Sequence, residues 1–349
     1  MSYANQCQAS DLHLSAGMPA MLRIDGDMVP LDIAALQPTQ VNNYIVSTMT
    51  NSQYVLFQQN FEIDYAFSLP DIGRFRINAF TQNRGSAAVF RAIPSSVPNL
   101  QHLNLNEQAI QNSTLSSSGN TAPTISSTFE KIAKFKQGLV LVTGPTGCGI
   151  STTVAALIDY INSSRPAHIL TIEDPIEFIY DSKLSLVNQR QLNLHTLELN
   201  MALRSALRED PDVIVIGELR DLSSIRLALT AAETGHLVFA TLHTNSAIKT
   251  IDRIIDVFPA AEKEMVRAML SESLQAIISQ VLLKRPHSGR IAAHEIMITT
   301  PAIRNLIRQN KLAQMYSVIQ TSNNLGMFTF EQSFKRLVEL KLIEPSQIV

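Results

Sequence analysis

A glycine-rich stretch, Gly144–Thr152 (GPTGCGIST), constrains the fold of this chain more than any other feature. The apolar run 139–142 before it predicts a buried strand, and 151–160 after it has helical spacing. In a strand–loop–helix unit of this kind, backbone N–H groups turn inward and the helix N-terminus adds positive charge. The sequence therefore predicts an α/β fold with a phosphate-binding loop made of Gly144, Pro145, Thr146, Gly147, Cys148, Gly149, Ile150, Ser151 and Thr152.

One position of this loop departs from the phosphate-binding pattern G-x-x-x-x-G-K-[ST]. The pattern has a lysine where this chain has Ile150. The ammonium group that would reach the outer phosphates is therefore missing, while the backbone donors remain. We expect the loop to bind the phosphates of a nucleotide weakly through its backbone, and we expect hydrolysis of that nucleotide to be severely impaired. A purely structural glycine-rich turn is the alternative interpretation.

Length and composition limit the class of protein. With 349 residues, the chain is longer than one ordinary core requires, so two domains are expected. A net charge of -2 and the lack of tryptophan argue against a nucleic-acid partner. No apolar run approaches the roughly 18–20 residues of a membrane span, and no signal peptide opens the chain. Two cysteines, Cys7 and Cys148, favour a reducing cytoplasm.

Sequence patterns divide the chain into four segments. Strand-like alternation and an Asp25–Gly26 hairpin turn mark a small mixed domain, in which 40–59 could form a helix. Serine, threonine and asparagine dominate 111–128, which is typical of a linker. Strands and helices then alternate, with helical spacing from 262 to 280, and a helical tail follows. The predicted boundaries are 1–98, 99–130, 131–298 and 299–349.

Acidic residues follow two of the predicted strands of the second domain. Glu173, Asp174 and Glu177 come after the strand 168–173, and Glu218 comes after the strand 213–216. The carboxyl ends of parallel strands meet at one edge of a sheet, so we expect these carboxylates beside the phosphate loop. There they could hold Mg²⁺ together with the Ser151 hydroxyl, or polarise a water molecule. Helix caps and surface ion pairs are the alternative.

Histidine and arginine side chains complete the candidate site. His243 follows the third strand of this domain and could sense a γ-phosphate, or it could be a hydrogen-bonded structural histidine. Arginines of the small domain could stabilise phosphate charge from a neighbouring domain or subunit, or could lie on solvated strand faces. These arginines are Arg74, Arg76, Arg84 and Arg91.

Six segments, spread over some 300 residues, carry a further pattern: 9–17, 74–80, 171–178, 207–218, 235–244 and 301–308. In this order they resemble the PilT-like type IV pilus retraction ATPases of the secretion superfamily. The resemblance implies a PAS-like N-terminal α+β domain, a RecA-like P-loop ATPase core and a helical C-terminal segment. It also implies ATP and Mg²⁺ as ligands.

The resemblance also implies roles and partners. Glu177 becomes the candidate base, Glu218 a candidate for water activation or Mg²⁺ coordination, His243 a sensor, and the four arginines ligands of the phosphates. The expected assembly is a cytoplasmic hexamer, alone or mixed with a paralogous motor ATPase, at the inner-membrane base of the pilus machine. A membrane platform protein is its expected partner, and pilus retraction in twitching motility its expected work. Two cysteines cannot form the tetracysteine zinc module of extension ATPases, which favours retraction.

Three departures from the family pattern leave two hypotheses open. The first helix looks shortened, the serine-rich linker is long, and Ile150 replaces the lysine. The first hypothesis is a retraction motor that hydrolyses ATP through a compensating group or in a mixed ring. The second is a catalytically impaired subunit that regulates or builds a motor ring through protein contacts.

Overall fold

The computed structural model describes residues 1–7, 9–93, 96–103, 123–286 and 289–347. The chain divides into two compact units. The first comprises Met1–Ser96 with the short segment Pro175–Phe178, and the second comprises Val97–Asp174 with Ile179–Val349. The predicted boundary at 98 is thus close to the division between the units, but four residues of the second predicted domain pack with the first unit.

The first unit is a six-stranded antiparallel sheet with three helices. Its strand order is β3-β2-β1-β6-β5-β4. The strands are β1 (Asp11–Ser15), β2 (Met21–Ile24), β3 (Asp27–Pro30), β4 (Glu62–Leu69), β5 (Gly73–Gln82) and β6 (Gly85–Ile93). The helices are α1 (Ser2–Gln6), α2 (Pro38–Val46) and α3 (Asn51–Asn60).

Local chemistry explains the turns of this unit. Asp25 and Gly26 both have positive φ, so they form the predicted β2–β3 hairpin turn. The predicted helix 40–59 is two helices, because Thr50 interrupts it: its side chain accepts from the Gln53 N–H, while the Gln53 side chain accepts from the Thr50 N–H. This capping box starts a new helix at Asn51.

The second unit is built on a seven-stranded sheet, ordered β13-β12-β7-β11-β10-β8-β9. All neighbouring strands are parallel except β12 and β13. The strands are β7 (Gly138–Thr143), β8 (His168–Glu173), β9 (Leu186–Gln191), β10 (Val213–Ile216), β11 (Leu237–Leu242), β12 (Leu274–Lys284) and β13 (Arg290–Ile298). Helices connect the successive parallel strands, as this sheet type favours, except that 174–185, between β8 and β9, contains no helix.

The second unit contains helices before, between and after its strands, and the last three form the helical tail. In chain order they are α4 (Leu100–Leu103), α5 (Ile125–Ala133), α6 (Ile150–Ser164), α7 (Leu199–Ala206), α8 (Leu222–Glu233), α9 (Ala247–Asp256), α10 (Lys263–Ser273), α11 (Pro301–Arg308), α12 (Met315–Thr321) and α13 (Phe330–Glu339). Gly326, with φ +91°, breaks the tail before α13, as predicted. Within the described ranges, no helix combines the length and the apolar character needed to cross a membrane.

The core of the second unit surrounds the central strands. All side chains of β7 and β10 are buried, which means that both faces of the sheet are covered. This explains why these strands read as unbroken apolar runs, without the alternation seen in the first unit. Their carboxyl ends all lie at one edge of the sheet, where the phosphate loop leaves β7.

One secondary-structure prediction was wrong. The expected helix 262–280 ends at Ser273, and β12 begins at Leu274, because the apolar run that follows lies in the buried interior of the sheet. In the predicted linker 99–130, the described ends form the helices α4 and α5, and Phe129 of α5 is fully buried. The middle of that linker, 104–122, lies outside the described residues.

Candidate functional site

Glycine geometry sets the shape of the phosphate loop. Gly144, Gly147 and Gly149 have φ values of +156°, +80° and +89°, which L side chains rarely adopt. A Cβ atom on Gly144 would lie 2.3 Å from the Gln280 carbonyl oxygen and 2.5 Å from Cys148 Sγ. The loop therefore requires glycine at 144, both for the backbone angle and for the close approach of β12.

Side chains from three other elements hold the outer face of the loop. Gln280 Nε2 donates to the Cys148 carbonyl at 2.6 Å, and Arg290 Nη1 lies 3.4 Å from the Gly147 carbonyl. His243 Nδ1 lies 3.3 Å from the Gly144 carbonyl. The peptides that follow these carbonyls differ: Pro145 has no N–H, and the Cys148 N–H donates to the Pro145 carbonyl at 3.1 Å. The Gly149 N–H points away from Gln280, because the C=O and N–H of a trans peptide point in opposite directions. Of the three contacts, the one from Gln280 therefore orients an N–H donor for an anion.

Ile150 supplies no polar group to the loop. It is the first residue of α6, only 9% exposed, and packs in the main apolar core of the second unit. Ser151, next to it, is exposed on the first turn of the helix, where its hydroxyl is free to meet a ligand. The loop thus keeps its helix N-terminus and its hydroxyl, but has an apolar side chain where the pattern has a lysine.

Cys148 is a structural member of the loop. Its side chain is buried, and this burial raises the pKa of the thiol to about 11. At neutral pH it is therefore protonated, and a protonated thiol is a poor nucleophile and metal ligand. Cys148 contributes packing and its backbone to the loop.

A chain of polar contacts links the acidic side chains at the same edge of the sheet. Glu218, which follows β10, accepts from Arg220 Nε at 2.8 Å, and its Oε1 lies 3.4 Å from His243 Nε2. Arg220 Nη1 reaches Asp174 at 3.4 Å. His243 therefore stands between Glu218 and the Gly144 carbonyl of the loop, and a neutral imidazole can donate to only one of these acceptors at a time.

Glu173 lies nearby but is committed to other partners. Its Oε1 accepts from Thr171 Oγ1 at 2.6 Å and from Gln189 Nε2 at 3.2 Å. Among the described residues, no three His, Cys, Asp or Glu side chains converge closely enough to hold a metal ion. The predicted Mg²⁺ ligands therefore do not form an all-protein cage. Ser151 and Glu218 offer hydroxyl and carboxylate oxygens, the kind of ligand that Mg²⁺ takes besides water and phosphate oxygens.

Glu177 and the predicted arginines lie in the first unit. Arg76 binds Asp64 through Nη2 at 2.6 Å, and its Nη1 lies 3.4 Å from Glu177 Oε1. Arg91 on β6 is the register partner of Arg76 on β5, and its Nε donates to the buried Asp11 at 2.8 Å. Arg74 lies two residues before Arg76 on the same strand.

Arg84 lies apart from the other three arginines. It lies in the turn between β5 and β6. Six residues of β5 follow Arg76 before this turn, which corresponds to roughly 20 Å along the strand. The first unit therefore groups three of the predicted arginines at one end of the β5–β6 pair and places Arg84 at the other.

Sequence reasoning missed three residues that contact the predicted site: Gln280, Arg220 and Arg290. Gln280 had a weak signal, since it is a polar residue within the apolar run of β12. Arg220 follows Glu218 by two residues, which could have suggested an ion pair. Arg290 comes from β13, and nothing in its local sequence indicates a contact with a loop some 140 positions earlier.

Comparison with known proteins shows what this chain is similar to. The model of the type II/IV secretion system protein family matches residues 59–288. The chain is 54% identical to the type IV pilus retraction ATPase PilT of Pseudomonas aeruginosa, over 98% of this chain and 94% of that protein. It is 56% identical to a twitching motility protein of Neisseria gonorrhoeae, over 93% of this chain and 82% of that protein.

A solved structure matches the whole architecture. The crystal structure of the pilus retraction motor PilT with bound ADP superposes with a TM-score of 0.82 at 44% identity, covering 99% of this chain and 93% of that one. The predicted fold class, an N-terminal α+β domain followed by a P-loop ATPase core with a helical C-terminal segment, is confirmed. The resemblance to PilT-like proteins is confirmed as well.

Proposed function

Since the chain belongs to the type II/IV secretion system protein family, in its PilT-like branch, we propose that it is a motor ATPase subunit that powers type IV pilus retraction. One observation carries the proposal: the phosphate loop and the His243–Glu218–Arg220 chain lie at the same edge of the second sheet and contact each other at Gly144. A glycine-rich loop beside carboxylates and a histidine supports nucleotide hydrolysis, which needs phosphate binding together with groups that orient water and Mg²⁺.

The ligands of this site are ATP and Mg²⁺. Backbone N–H groups of the loop and the N-terminus of α6 bind the phosphates, and the relative with bound ADP supports this assignment. Ser151 and Glu218 hold Mg²⁺ directly or through water, with Glu173 and Asp174 as further candidates. The ion supplies positive charge against the phosphates. His243 would act as a sensor if a γ-phosphate shifts its one N–H between the two acceptors, the Gly144 carbonyl and the Glu218 carboxylate.

The first unit supplies the base and the arginines. Glu177 activates the attacking water, and its contact with Arg76 orients the carboxylate. Arg74, Arg76, Arg84 and Arg91 stabilise phosphate charge within the subunit or from a neighbour. The position of Arg84 away from the other three favours a separate role for it.

The working assembly is a hexamer, either of this chain alone or mixed with a paralogous motor ATPase, in the cytoplasm at the inner-membrane base of the pilus machine. A membrane platform protein is its partner there. The family contains a second pilus ATPase that could be such a paralogue. The chain is 37% identical to the type IV pilus ATPase PilU of Pseudomonas aeruginosa, in addition to its similarity to PilT.

A second function is favoured by Ile150. Its side chain is packed in the apolar core, so it offers nothing to the outer phosphates. Loss of a preorganised charge contact costs about 10²–10³ in rate. A subunit that binds nucleotide through its loop, but hydrolyses it slowly, would regulate or build a motor ring through protein contacts.

ATP hydrolysis by the purified chain distinguishes the two functions. The rate of the chain itself is compared with that of Ile150→Lys, and Ile150→Met serves as the control because it has similar length without charge. An autonomous motor gives a substantial rate that Ile150→Lys raises little. A regulatory subunit gives a rate near background that rises about 10²–10³-fold with lysine. Failure of all three proteins to bind or hydrolyse ATP would refute the ATPase proposal.

A further inference from the structure

Gln280 occupies an unusual position for a glutamine. It lies on β12, one residue past the pairing of Ser279 with Thr143 at the end of β7, and it is only 1% exposed. Both ends of its side-chain amide are used: Nε2 donates to the Cys148 carbonyl at 2.6 Å, and Oε1 accepts from Thr153 Oγ1 at 2.6 Å. A buried amide with both groups satisfied holds its partners in one arrangement.

The two partners of Gln280 belong to the loop and to the helix that follows it. Thr153 is on the first turn of α6, and Cys148 is in the loop itself. The backbone of Gln280 also limits the loop, because its carbonyl fills the space that a side chain at 144 would need. Gln280 therefore bonds the loop at Cys148 and the helix at Thr153, and its backbone leaves no room for a side chain at 144.

The orientation of one peptide group follows from this contact. With the Cys148 carbonyl directed at Gln280, the N–H of Gly149 in the same planar peptide points the opposite way. Gly149 is the N-cap of α6, so this N–H lies at the helix N-terminus, the end of a helix that attracts anions. In a loop without lysine, backbone donors provide most of the attraction for phosphate, so their orientation matters more than usual.

We propose that Gln280 is a positioning residue that holds the phosphate loop in its anion-binding conformation and so substitutes structural order for the missing lysine. The inference rests on the proposed nucleotide site. Gln280 does not touch the nucleotide; it acts through the Cys148–Gly149 peptide. The ligand group concerned is the phosphate chain of a nucleotide, and the adenosine is unaffected.

The test measures binding of a fluorescent ADP analogue to the full chain and its displacement by inorganic pyrophosphate. Gln280→Leu should weaken the binding of both ligands by about tenfold. This is the expected effect of losing one buried hydrogen bond and leaving the Cys148 carbonyl unpaired. Gln275→Leu is the matched control, because Gln275 is on the same strand but beside Gly138, at the opposite end of β7. It should bind both ligands as the unsubstituted chain does.

A second variant gives a signature that a merely structural role would not produce. Gln280→Glu keeps the acceptor for Thr153 but places a carboxylate oxygen against the Cys148 carbonyl. A buried carboxyl group has a raised pKa and, once protonated, can donate a hydrogen bond again. At each pH, the affinity of Gln280→Glu is divided by the affinity of the unsubstituted chain. This ratio should be low at pH 8 and should rise as the pH falls.

The outcomes separate the inference from the proposed function. If the unsubstituted chain binds neither ligand, the proposed nucleotide site is wrong. If it binds both, and folded Gln280→Leu and Gln280→Glu bind equally well, Gln280 has no positioning role. If Gln280→Leu does not fold, Gln280→Glu decides: an affinity ratio that is independent of pH overturns the inference.

Discussion

The phosphate loop and the acidic edge beside it are neighbours on one sheet, but different forces hold them. The loop, Gly144–Thr152, contains no charged side chain, and it is fixed by glycine backbone angles and by the buried Gln280. The acidic edge, formed by Asp174, Glu218, Arg220 and His243, consists of charged or ionisable groups that are partly exposed, from 28% for Glu218 to 58% for Arg220.

The difference shows that shape and charge are separable in this site. Exposed ion pairs contribute little to folding, because water screens them and long side chains lose entropy in forming them. Buried contacts and backbone geometry contribute more. The loop can therefore lose its lysine and retain its conformation, and an intact loop is not by itself evidence of rapid hydrolysis. Substitutions in the loop should therefore lower the free energy of unfolding more than substitutions on the acidic edge.

The largest effect is expected from Gly144→Ala. The new Cβ atom would lie 2.3 Å from the Gln280 carbonyl in a backbone conformation that alanine rarely adopts. Overpacking and backbone strain together should lower the free energy of unfolding by about 3 kcal/mol, measured by urea denaturation. ADP binding should be lost at the same time, because the loop must move.

Gly147→Ala is the matched control for that substitution. Gly147 also has positive φ, but a Cβ atom there would meet no atom within 4 Å. Only the backbone strain remains, so a loss of about 1 kcal/mol is expected. Equal losses for Gly144→Ala and Gly147→Ala would mean that the close contact with β12 does not hold the loop.

The sequence predicted the parts of this site that depend on local chemistry. Glycines at 144, 147 and 149 and the apolar run before them are sufficient to predict the loop, because strand, turn and helix are consecutive. Glu218 and His243 were predicted from their places at strand ends, and the structure brings them within 3.4 Å of each other.

The missed parts depend on contacts between distant segments. The run 274–283 is apolar on both faces, so periodicity could not distinguish a buried strand from a helix, and β12 was predicted as a helix. The role of Gln280 could not be seen without that strand, since its partners lie more than 120 positions earlier. The strand β9 was not predicted either, because it is a partly exposed edge strand with a mixed sequence.

The pH dependence of stability gives the next effect. His294 is the cross-strand partner of Gln280 on β13, lies edge-on to Phe129, and is buried. Burial lowers its pKa to about 4, against an ordinary value of 6.5. Below pH 6.5 the unfolded chain takes up a proton that the folded chain does not. Stability should therefore fall as the pH drops from about 6.5 to about 4, by about 3 kcal/mol.

His294→Phe isolates this effect, because it keeps an aromatic ring against Phe129 and removes the titration. Urea midpoints of both proteins are measured between pH 7.5 and pH 4, and the difference between the two curves is taken. The difference should grow steadily in favour of His294→Phe as the pH falls. A difference that does not change with pH would show that His294 is not held neutral in the folded chain.

The smallest effect is expected from Arg220→Gln on the acidic edge. Arg220 is 58% exposed and pairs with Glu218 at 2.8 Å and Asp174 at 3.4 Å. Because exposed ion pairs are screened, the loss in unfolding free energy should stay below about 1 kcal/mol and shrink further in high salt. A salt-independent loss of about 2 kcal/mol or more would mean that the acidic edge is as firmly built as the loop, and shape and charge would then not be separable in this site.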